Sequence, residues 1–102
     1  MSYFVYILYS MKSDKYYVGS THDWRSRLEL HNHSERNTYT SKHRPWEVIA
    51  VFIAGESRSE AMKLEKFIKK QKSRKLIERL ITPSFEPNGK LAQLIRVPHL
   101  RD

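Results

Sequence analysis

Two tyrosines near the start of the sequence are the first residues whose type and spacing could support chemistry. Tyr6 and Tyr17 lie in two runs of aromatic and β-branched residues, YFVYILY and KYYVGS, which a short polar segment separates. These runs predict a β-hairpin, and if Tyr9 pairs with Tyr16 in it, Tyr6 and Tyr17 point to the same face. Their hydroxyl groups would be neighbours there, and Gly19 would leave space beside them for a ligand or another backbone segment. The alternative is an aromatic pair that only stabilises the sheet.

An arginine and a histidine share one face of the next predicted element. Arg27 and His31 are four residues apart in DWRSRLELHNH, so on a helix they project from the face that also carries Trp24. The guanidinium could neutralise a phosphate, or its stem could cover the core while it pairs with Glu29 or Asp23. His31 could act as an acid or a base, or only place a cation at the end of the helix.

A later helix, predicted over 57–72, carries a carboxylate at the border of its apolar stripe. Ala61, Leu64 and Ile68 form the stripe, and Glu65 lies beside it. Burying a carboxylate without a cation costs several kcal/mol, so we expect Glu65 to meet an arginine, a lysine or a divalent metal ion. A single carboxylate is a sparse ligand set, which suits Mg²⁺ that keeps most of its waters and takes other ligands from phosphate.

Positive charge is concentrated around and after this carboxylate. The formal net charge is +8 over 102 residues, and the segment 63–79 alone holds eight basic residues against two acidic ones. Such a concentration favours contact with a phosphate backbone, which is salt-dependent and largely independent of sequence, although a solvated helix face is the alternative. The residues that we expect to contact nucleic acid are Lys66, Lys69, Lys70, Lys72, Arg74 and Lys75.

The overall composition excludes several classes of protein. Because the chain has no cysteine, disulfide frameworks, thiolate zinc sites, iron–sulfur clusters and cysteine nucleophiles are all excluded. Hydrophobic residues make up 39% of the chain, which is too many for a disordered protein. The apolar run at the start is too short to span a membrane and lacks a basic leader, so we expect a cytoplasmic protein with no membrane association.

The patterns together predict an α+β domain with the element order β-β-α-β-α-α. Two runs joined by a short turn pair antiparallel, so we expect a three-stranded antiparallel sheet flanked by helices. The strands are predicted over 3–9, 15–20 and 46–54, and the helices over 23–33, 57–72 and 73–80. We assign 1–82 to one domain and leave the role of the tail, 83–102, open. The tail could drape over the domain, add an edge segment or be mobile.

The same residues, taken in order, resemble the GIY-YIG nuclease superfamily, and especially its small stand-alone bacterial branch. The resemblance runs from about residue 3 to residue 72. Its motifs are Phe4-Val5-Tyr6, Tyr17-Val18-Gly19, Arg27-Leu28 with His31-Asn32, Arg44-Pro45-Trp46, and Leu64-Glu65. Phe4 stands where the family name has a glycine, and the same branch commonly has a bulky residue there.

The resemblance implies a metal-dependent endonuclease that hydrolyses phosphodiester bonds of double-stranded or branched DNA, in a structure-specific or repair role. It implies one Mg²⁺ or Mn²⁺ ion with Glu65 as the ligand, and Arg27 as the cation on the scissile phosphate. Tyr17 is our preferred general base or water-positioning group, with Tyr6 as its hydrogen-bonding neighbour, and His31 matches a histidine that several members use. Substrate choice would come from the domain itself or from a protein partner.

Two other hypotheses compete with this one. The chain could be a non-catalytic, basic nucleic-acid-binding module on the same fold, which the charge of the segment 63–79 would explain. Alternatively, every residue singled out above could serve only to stabilise the core.

Overall fold

In the described part of the chain four antiparallel strands form one sheet, in which the second, first, third and fourth strands lie side by side in that order, so the second strand lies at an edge. The computed structural model describes residues 1–36 and 38–98. The strands are β1 (Tyr3–Ser10), β2 (Lys15–Thr21), β3 (Glu47–Gly55) and β4 (Ile95–Arg96), and the helices are α1 (Trp24–His33), α2 (Arg58–Gln71) and α3 (Arg74–Leu80). Two short 3₁₀ turns cover Thr40–His43 and Gly89–Leu91. No helix in the described part of the chain is both long enough and apolar enough to cross a membrane.

The hairpin register is the one expected from the sequence. Tyr9 pairs with Tyr16, which places Tyr6 opposite Gly19 and turns Tyr6 and Tyr17 to the same face of the sheet. The space beside Gly19, however, is not open to a ligand. The Tyr6 ring fills it, because a Cβ atom added to Gly19 would overlap that ring.

The two faces of the sheet pack against different helices. One face packs against α2 and α3 through a core that includes Val5, Ile7 and Val18. The opposite face, with Tyr6 and Leu8, packs against α1 and against Trp46, the residue before β3. Because side chains alternate along a strand, residues next to each other in β2 belong to opposite faces, and this separates the candidate residues into two groups.

The prediction of a three-stranded sheet was wrong, because a fourth strand pairs with β3. Ile95 and Arg96 lie opposite Ile53 and Phe52. A strand of two residues carries no periodic pattern, so the sequence could not reveal it. Contacts with the core and with the end of α3 hold β4 in place.

Leu91 and Leu94 anchor this part of the tail in the core beneath the sheet. The Arg96 guanidinium donates hydrogen bonds to the carbonyl oxygen of Leu80, the last residue of α3, and to those of Thr82 and Phe85 beyond it. The tail therefore packs on the domain as far as residue 98, and its last residues, 99–102, lie outside the described part.

The connection from α1 to β3 is tied back to the helix at its carboxyl end. Arg44 donates hydrogen bonds of 2.6 Å to the carbonyl oxygens of His31 and Ser34. The Asn32 side chain pairs with the backbone of Trp46, accepting from its N–H at 2.6 Å and donating to its carbonyl oxygen at 2.9 Å. The Arg44 bonds satisfy carbonyl groups at the end of the helix, and together with the Asn32 bonds they fix the loop over the end of α1.

Candidate active site

Two tyrosines and a histidine form an aromatic cluster between the sheet and α1. The ring centroids of Tyr6 and Tyr17 are 6.4 Å apart, and the His31 ring lies 5.9 Å from Tyr6 and 4.8 Å from Tyr17. Tyr6 is 1% exposed and His31 is also buried, whereas Tyr17 is half-buried. The hairpin brings the tyrosines together, and the spacing on α1 turns His31 towards them.

A chain of hydrogen bonds runs from Tyr6 through His31 into the loop after α1. The Tyr6 hydroxyl lies 3.0 Å from Nε2 of His31, and Nδ1 of the same ring lies 3.0 Å from the Thr40 hydroxyl. We had expected Tyr6 to be hydrogen-bonded to Tyr17, but its hydroxyl bonds to His31 instead. The reason is that the two tyrosine rings lie side by side on the sheet, while the imidazole reaches Tyr6 from α1, which packs on that face.

Burial sets the protonation states of this pair. It raises the pKa of Tyr6 to about 12, and the Arg27 guanidinium opposes part of the rise. Burial, with smaller contributions from the cations Arg27 and Arg44, lowers the pKa of His31 to about 4. At neutral pH the tyrosine is therefore protonated and the imidazole is neutral. If Tyr6 donates to Nε2, the imidazole proton is on Nδ1, where it can be donated to Thr40.

The Tyr17 hydroxyl differs from that of Tyr6 because it is open to solvent. It forms no hydrogen bond with any residue among 1–36 and 38–98, although every enclosed side-chain polar atom in those ranges has a partner. Tyr17 lines a cavity of about 280 Å³ together with Arg27 and His31. It also lines a second cavity, of about 410 Å³, on the side of α2. Water or a ligand can thus reach this hydroxyl.

Arg27 is exposed and, within the described ranges, forms no ion pair with a carboxylate. Asp23 instead accepts the N–H of Ser26 as the N-cap of α1, and Glu29 pairs with His33 at 3.6 Å. The expected alternative, in which Arg27 pairs with Asp23 or Glu29, therefore does not occur. Arg27 lines the 280 Å³ cavity and also a neighbouring cavity of about 300 Å³. Its charge is available to an anion in either cavity.

Glu65 approaches the same region from the opposite face of the sheet, and it meets a lysine. Its Oε2 atom lies 2.6 Å from Nζ of Lys69, and its Oε1 atom accepts a hydrogen bond of 2.5 Å from the Ser20 hydroxyl. The Glu65 side chain is 19% exposed. The Nζ atom of Lys69 lies 5.2 Å from the centroid of the Tyr17 ring, so this lysine links the two faces around the edge strand.

The basic residues predicted to contact nucleic acid divide into two groups. Lys69, Lys72 and Arg74 line the 410 Å³ cavity beside Tyr17. Arg74 is also held by Asp14 in the hairpin turn, at 2.6 Å. Lys66, Lys70 and Lys75 are exposed on the same two helices but outside this cavity.

The sequence analysis missed Ser20 and Thr40, which hold two of the candidate residues. Ser20 lies on the same face of β2 as Val18, so strand alternation could have placed it towards α2, but not opposite Glu65. Thr40 lies in a polar loop without periodicity, and its contact with His31 depends on the anchoring of that loop by Arg44.

The residues that could hold a metal ion are few. Among residues 1–36 and 38–98 there is no cluster of three or more histidine, aspartate, glutamate or cysteine side chains. Glu65 and the Ser20 hydroxyl are neighbouring oxygen donors, which is the donor type that Mg²⁺ and Mn²⁺ prefer. They fit an ion that keeps most of its waters, and such an ion has to compete with Lys69 for the carboxylate.

A family model and a solved structure match this chain. The model of the GIY-YIG catalytic domain matches residues 2–78. Among solved structures, the chain is similar to the solution NMR structure of a UPF0213 protein from Bacillus halodurans, with 31% sequence identity. That match covers 85% of this chain and 89% of the other, with a TM-score of 0.49. A comparison with curated proteins finds no match.

Proposed function

The chain belongs to the GIY-YIG family, a family of nucleases, and on that premise we propose that it is an endonuclease that hydrolyses DNA phosphodiester bonds with a divalent metal ion. The observation that carries the proposal is one cavity lined by the Tyr17 side chain, whose hydroxyl is open, and by an Arg27 without a carboxylate partner. A phosphate bound there would meet a cation and a hydroxyl group that can orient a water molecule. Those are the groups that an attack on phosphorus requires.

Arg27 would bind the scissile phosphate. Hydrolysis of a phosphodiester increases the negative charge on the phosphate oxygens and on the leaving oxygen, and a fixed cation stabilises that charge. A guanidinium can make two parallel hydrogen bonds to one phosphate, which also fixes its orientation. Because no carboxylate in the described part of the chain neutralises Arg27, its full charge is available for this role.

Tyr17 would position the attacking water or accept its proton, whereas Tyr6 would hold the histidine. Transfer of the Tyr6 proton to His31 is uphill by on the order of 10 kcal/mol in the free protein, given pKa values of about 12 and about 4. Tyr6 is also too deeply buried to touch water. Tyr17 can reach water, so it is the better candidate for contact with the reacting atoms.

Glu65, with Ser20 beside it, would hold the Mg²⁺ or Mn²⁺ ion. When bound, such an ion polarises a phosphate oxygen and stabilises the charge on the leaving group. Ser20 fixes one carboxylate oxygen by its hydrogen bond, so the other oxygen, now paired with Lys69, is the one that an ion can reach most readily. Lys69 would then be free to move towards the nucleic acid.

The substrate would be double-stranded or branched DNA, cut in a structure-specific or repair role. The 410 Å³ cavity beside Tyr17 offers Lys69, Lys72 and Arg74 to the phosphates that flank the cleaved bond. These contacts carry no sequence information, so they suit a protein that selects DNA by shape.

The experiment is a cleavage assay on supercoiled, branched and single-stranded DNA in Mg²⁺ or Mn²⁺. Glu65→Ala should abolish cleavage, and chelation of the metal should have the same effect. The matched control is Glu60→Ala on the same helix, since Glu60 is exposed and pairs only loosely with Lys63, at 3.9 Å. Absence of cleavage of every substrate by the wild-type protein would contradict the proposal.

One observation favours a second candidate, a binding module without turnover. In the free protein both carboxylate oxygens of Glu65 already have partners, Ser20 and Lys69, as they would in a purely structural ion pair. This candidate predicts salt-dependent DNA binding that survives Glu65→Ala. It also predicts weaker binding when Lys66, Lys69, Lys70 and Lys72 are neutralised together.

A further inference from the structure

The 280 Å³ cavity extends beyond Tyr17 and Arg27 to residues for which the proposed reaction has no role. Its lining also includes Leu30 on α1 and Arg36, Thr38 and Tyr39 in the loop that follows. A volume near 300 Å³ lies at the lower end of the range for small-molecule sites, so it admits one flat group.

Two of the residues that line this cavity have large apolar side chains that are exposed to solvent. Leu30 is 52% exposed and Tyr39 is 51% exposed. Isolated exposed apolar residues are ordinary, but here two of them border one concave site that is also lined by arginine side chains. Both would lose solvent contact if a flat, apolar group entered between them.

The Tyr39 ring is supported by its neighbours. The His43 ring lies 4.8 Å from it, and Nδ1 of His43 lies 2.8 Å from the Ser13 hydroxyl in the hairpin turn. The Trp46 ring lies 6.3 Å from His43 on the other side. A ring that is supported in this way loses little conformational entropy when a second ring stacks on it.

The chemistry of the cavity matches a nucleotide. Arg27 and Arg36, which both line the cavity, are cations for phosphates, and the hydroxyl groups of Ser34 and Thr38 can bond to the polar edge of a base. Aromatic side chains beside a basic groove are the common way of binding unstacked bases.

We propose that this cavity binds one unstacked nucleobase of the substrate, with Tyr39 as its stacking partner and Leu30 as a further apolar contact. The inference rests on the proposed function, because it takes the nucleic acid to be bound with a phosphate at Arg27. In a regular duplex every base is stacked and paired, so it cannot enter without being extruded. The protein therefore prefers DNA that has an unpaired nucleotide beside the cleaved bond.

The test compares two short DNA duplexes that differ by one unpaired nucleotide. Their affinities for the full chain are measured by fluorescence anisotropy in EDTA, which prevents cleavage. Wild type should bind the bulged duplex more tightly. Tyr39→Ala should lower the ratio of the two affinities by about 5- to 100-fold, which corresponds to the loss of one stacked base.

Further variants separate stacking from loss of structure. Tyr39→Phe should keep the ratio, and Leu30→Glu should lower it as Tyr39→Ala does. Met11→Ala is the matched control, because Met11 is exposed at 77% and lines none of these cavities. Thermal unfolding of each variant confirms that it is folded.

An unchanged ratio in both Tyr39→Ala and Leu30→Glu would overturn the inference. So would a Tyr39→Ala protein whose sedimentation changes in the absence of DNA while the ratio stays constant, since the cavity would then hold a second copy of the chain. Failure of the proposed function is distinguishable. If the preference for bulged DNA depends on Tyr39 but no DNA is cleaved with Mg²⁺ or Mn²⁺, the base site stands and the nuclease proposal fails.

Discussion

The hydroxyl of Tyr6 lies 3.0 Å from Nε2 of His31, and both side chains are buried between the sheet and α1. Tyr17, on the same face of the sheet, leaves its hydroxyl in solvent. The two tyrosines of the hairpin therefore have different environments, although the sequence presents them as a matched pair. The difference allows activity to be separated from stability.

Removing the Tyr6 hydroxyl should lower stability, whereas removing the Tyr17 hydroxyl should slow cleavage. Tyr6→Phe leaves a buried imidazole nitrogen without a partner, so it should lower the free energy of unfolding by about 1–3 kcal/mol. Tyr17→Phe removes a hydroxyl without a protein partner, so it should change stability by less than about 0.5 kcal/mol. It should nevertheless slow cleavage by about 10²-fold or more.

Urea unfolding and single-turnover cleavage measure these two effects in the same variants. If Tyr17→Phe lowers the melting temperature as much as Tyr6→Phe does and leaves cleavage unchanged, these residues serve only the core.

Stability should fall as the pH is lowered through the range in which His31 resists protonation. Burial lowers the pKa of His31 to about 4 in the folded protein, against about 6.5 when the chain is unfolded. Between these two pKa values the unfolded state binds more protons than the folded state. The contribution of the neutral His31 to stability is therefore fully present above pH 6.5 and is lost progressively towards pH 4. The loss should be on the order of 3 kcal/mol.

The measurement is the free energy of unfolding at pH 7, 6, 5 and 4 for the wild type and for His31→Gln. The variant should show a much flatter profile over this interval. Parallel profiles for the two proteins would show that His31 does not control this pH dependence.

Lys69 should weaken the binding of a divalent ion to the free protein. It occupies one oxygen of Glu65 at 2.6 Å, so an ion that binds there has to displace an ammonium group. Lys69→Met should increase the affinity for Mn²⁺ in the absence of DNA by roughly tenfold, a typical effect for one nearby charge close to the surface. Lys66→Met, one residue after Glu65 on the same helix, is the control.

Isothermal titration with MnCl₂ measures this affinity without any cleavage. Equal affinities in the wild type and Lys69→Met would mean that Glu65 does not bind the ion.

The lysines beside the cavity should matter more for DNA binding than those on the outer surface. Lys69→Gln with Lys72→Gln removes two cations that line the 410 Å³ cavity. We expect weaker binding and a slope of log K against log salt that is less steep by about 0.9 for each lost phosphate contact. Lys70→Gln with Lys75→Gln, the matched pair outside the cavity, should change the slope less. A larger change of slope for the Lys70 and Lys75 variant than for the Lys69 and Lys72 variant would mean that the DNA binds elsewhere on the protein.

The sequence predicts the hairpin and its register well, because the side-chain period of a strand fixes which residues share a face. It also places Arg27 and His31 on one face of α1, because helical spacing is equally strict. The contact between Ser20 and Glu65 could not be predicted in this way. It depends on the position of α2 along the sheet, which no local pattern encodes.

The division of the candidate residues among separate cavities was another limit of sequence reasoning. Tyr6 is enclosed, Glu65 lines none of the three cavities described above, and Arg27 and Tyr17 each line two of them. Burial of this kind follows from how tightly α1 and the loop anchored by Arg44 close over the sheet. The short β4 strand was missed because its position depends on Leu91 and Leu94, which pack in the core without a period.

The central claim is that Arg27 binds the phosphate that is cleaved, and single-turnover cleavage of DNA under excess protein in Mg²⁺ tests it most directly. Arg27→Ala should reduce the cleavage rate by about 10²- to 10³-fold. Its melting temperature should stay within about 2 °C of the wild type, because the side chain is exposed. Arg79→Ala, an exposed arginine outside the three cavities, should cleave like the wild type. Equal rates for Arg27→Ala and the wild type would contradict the claim.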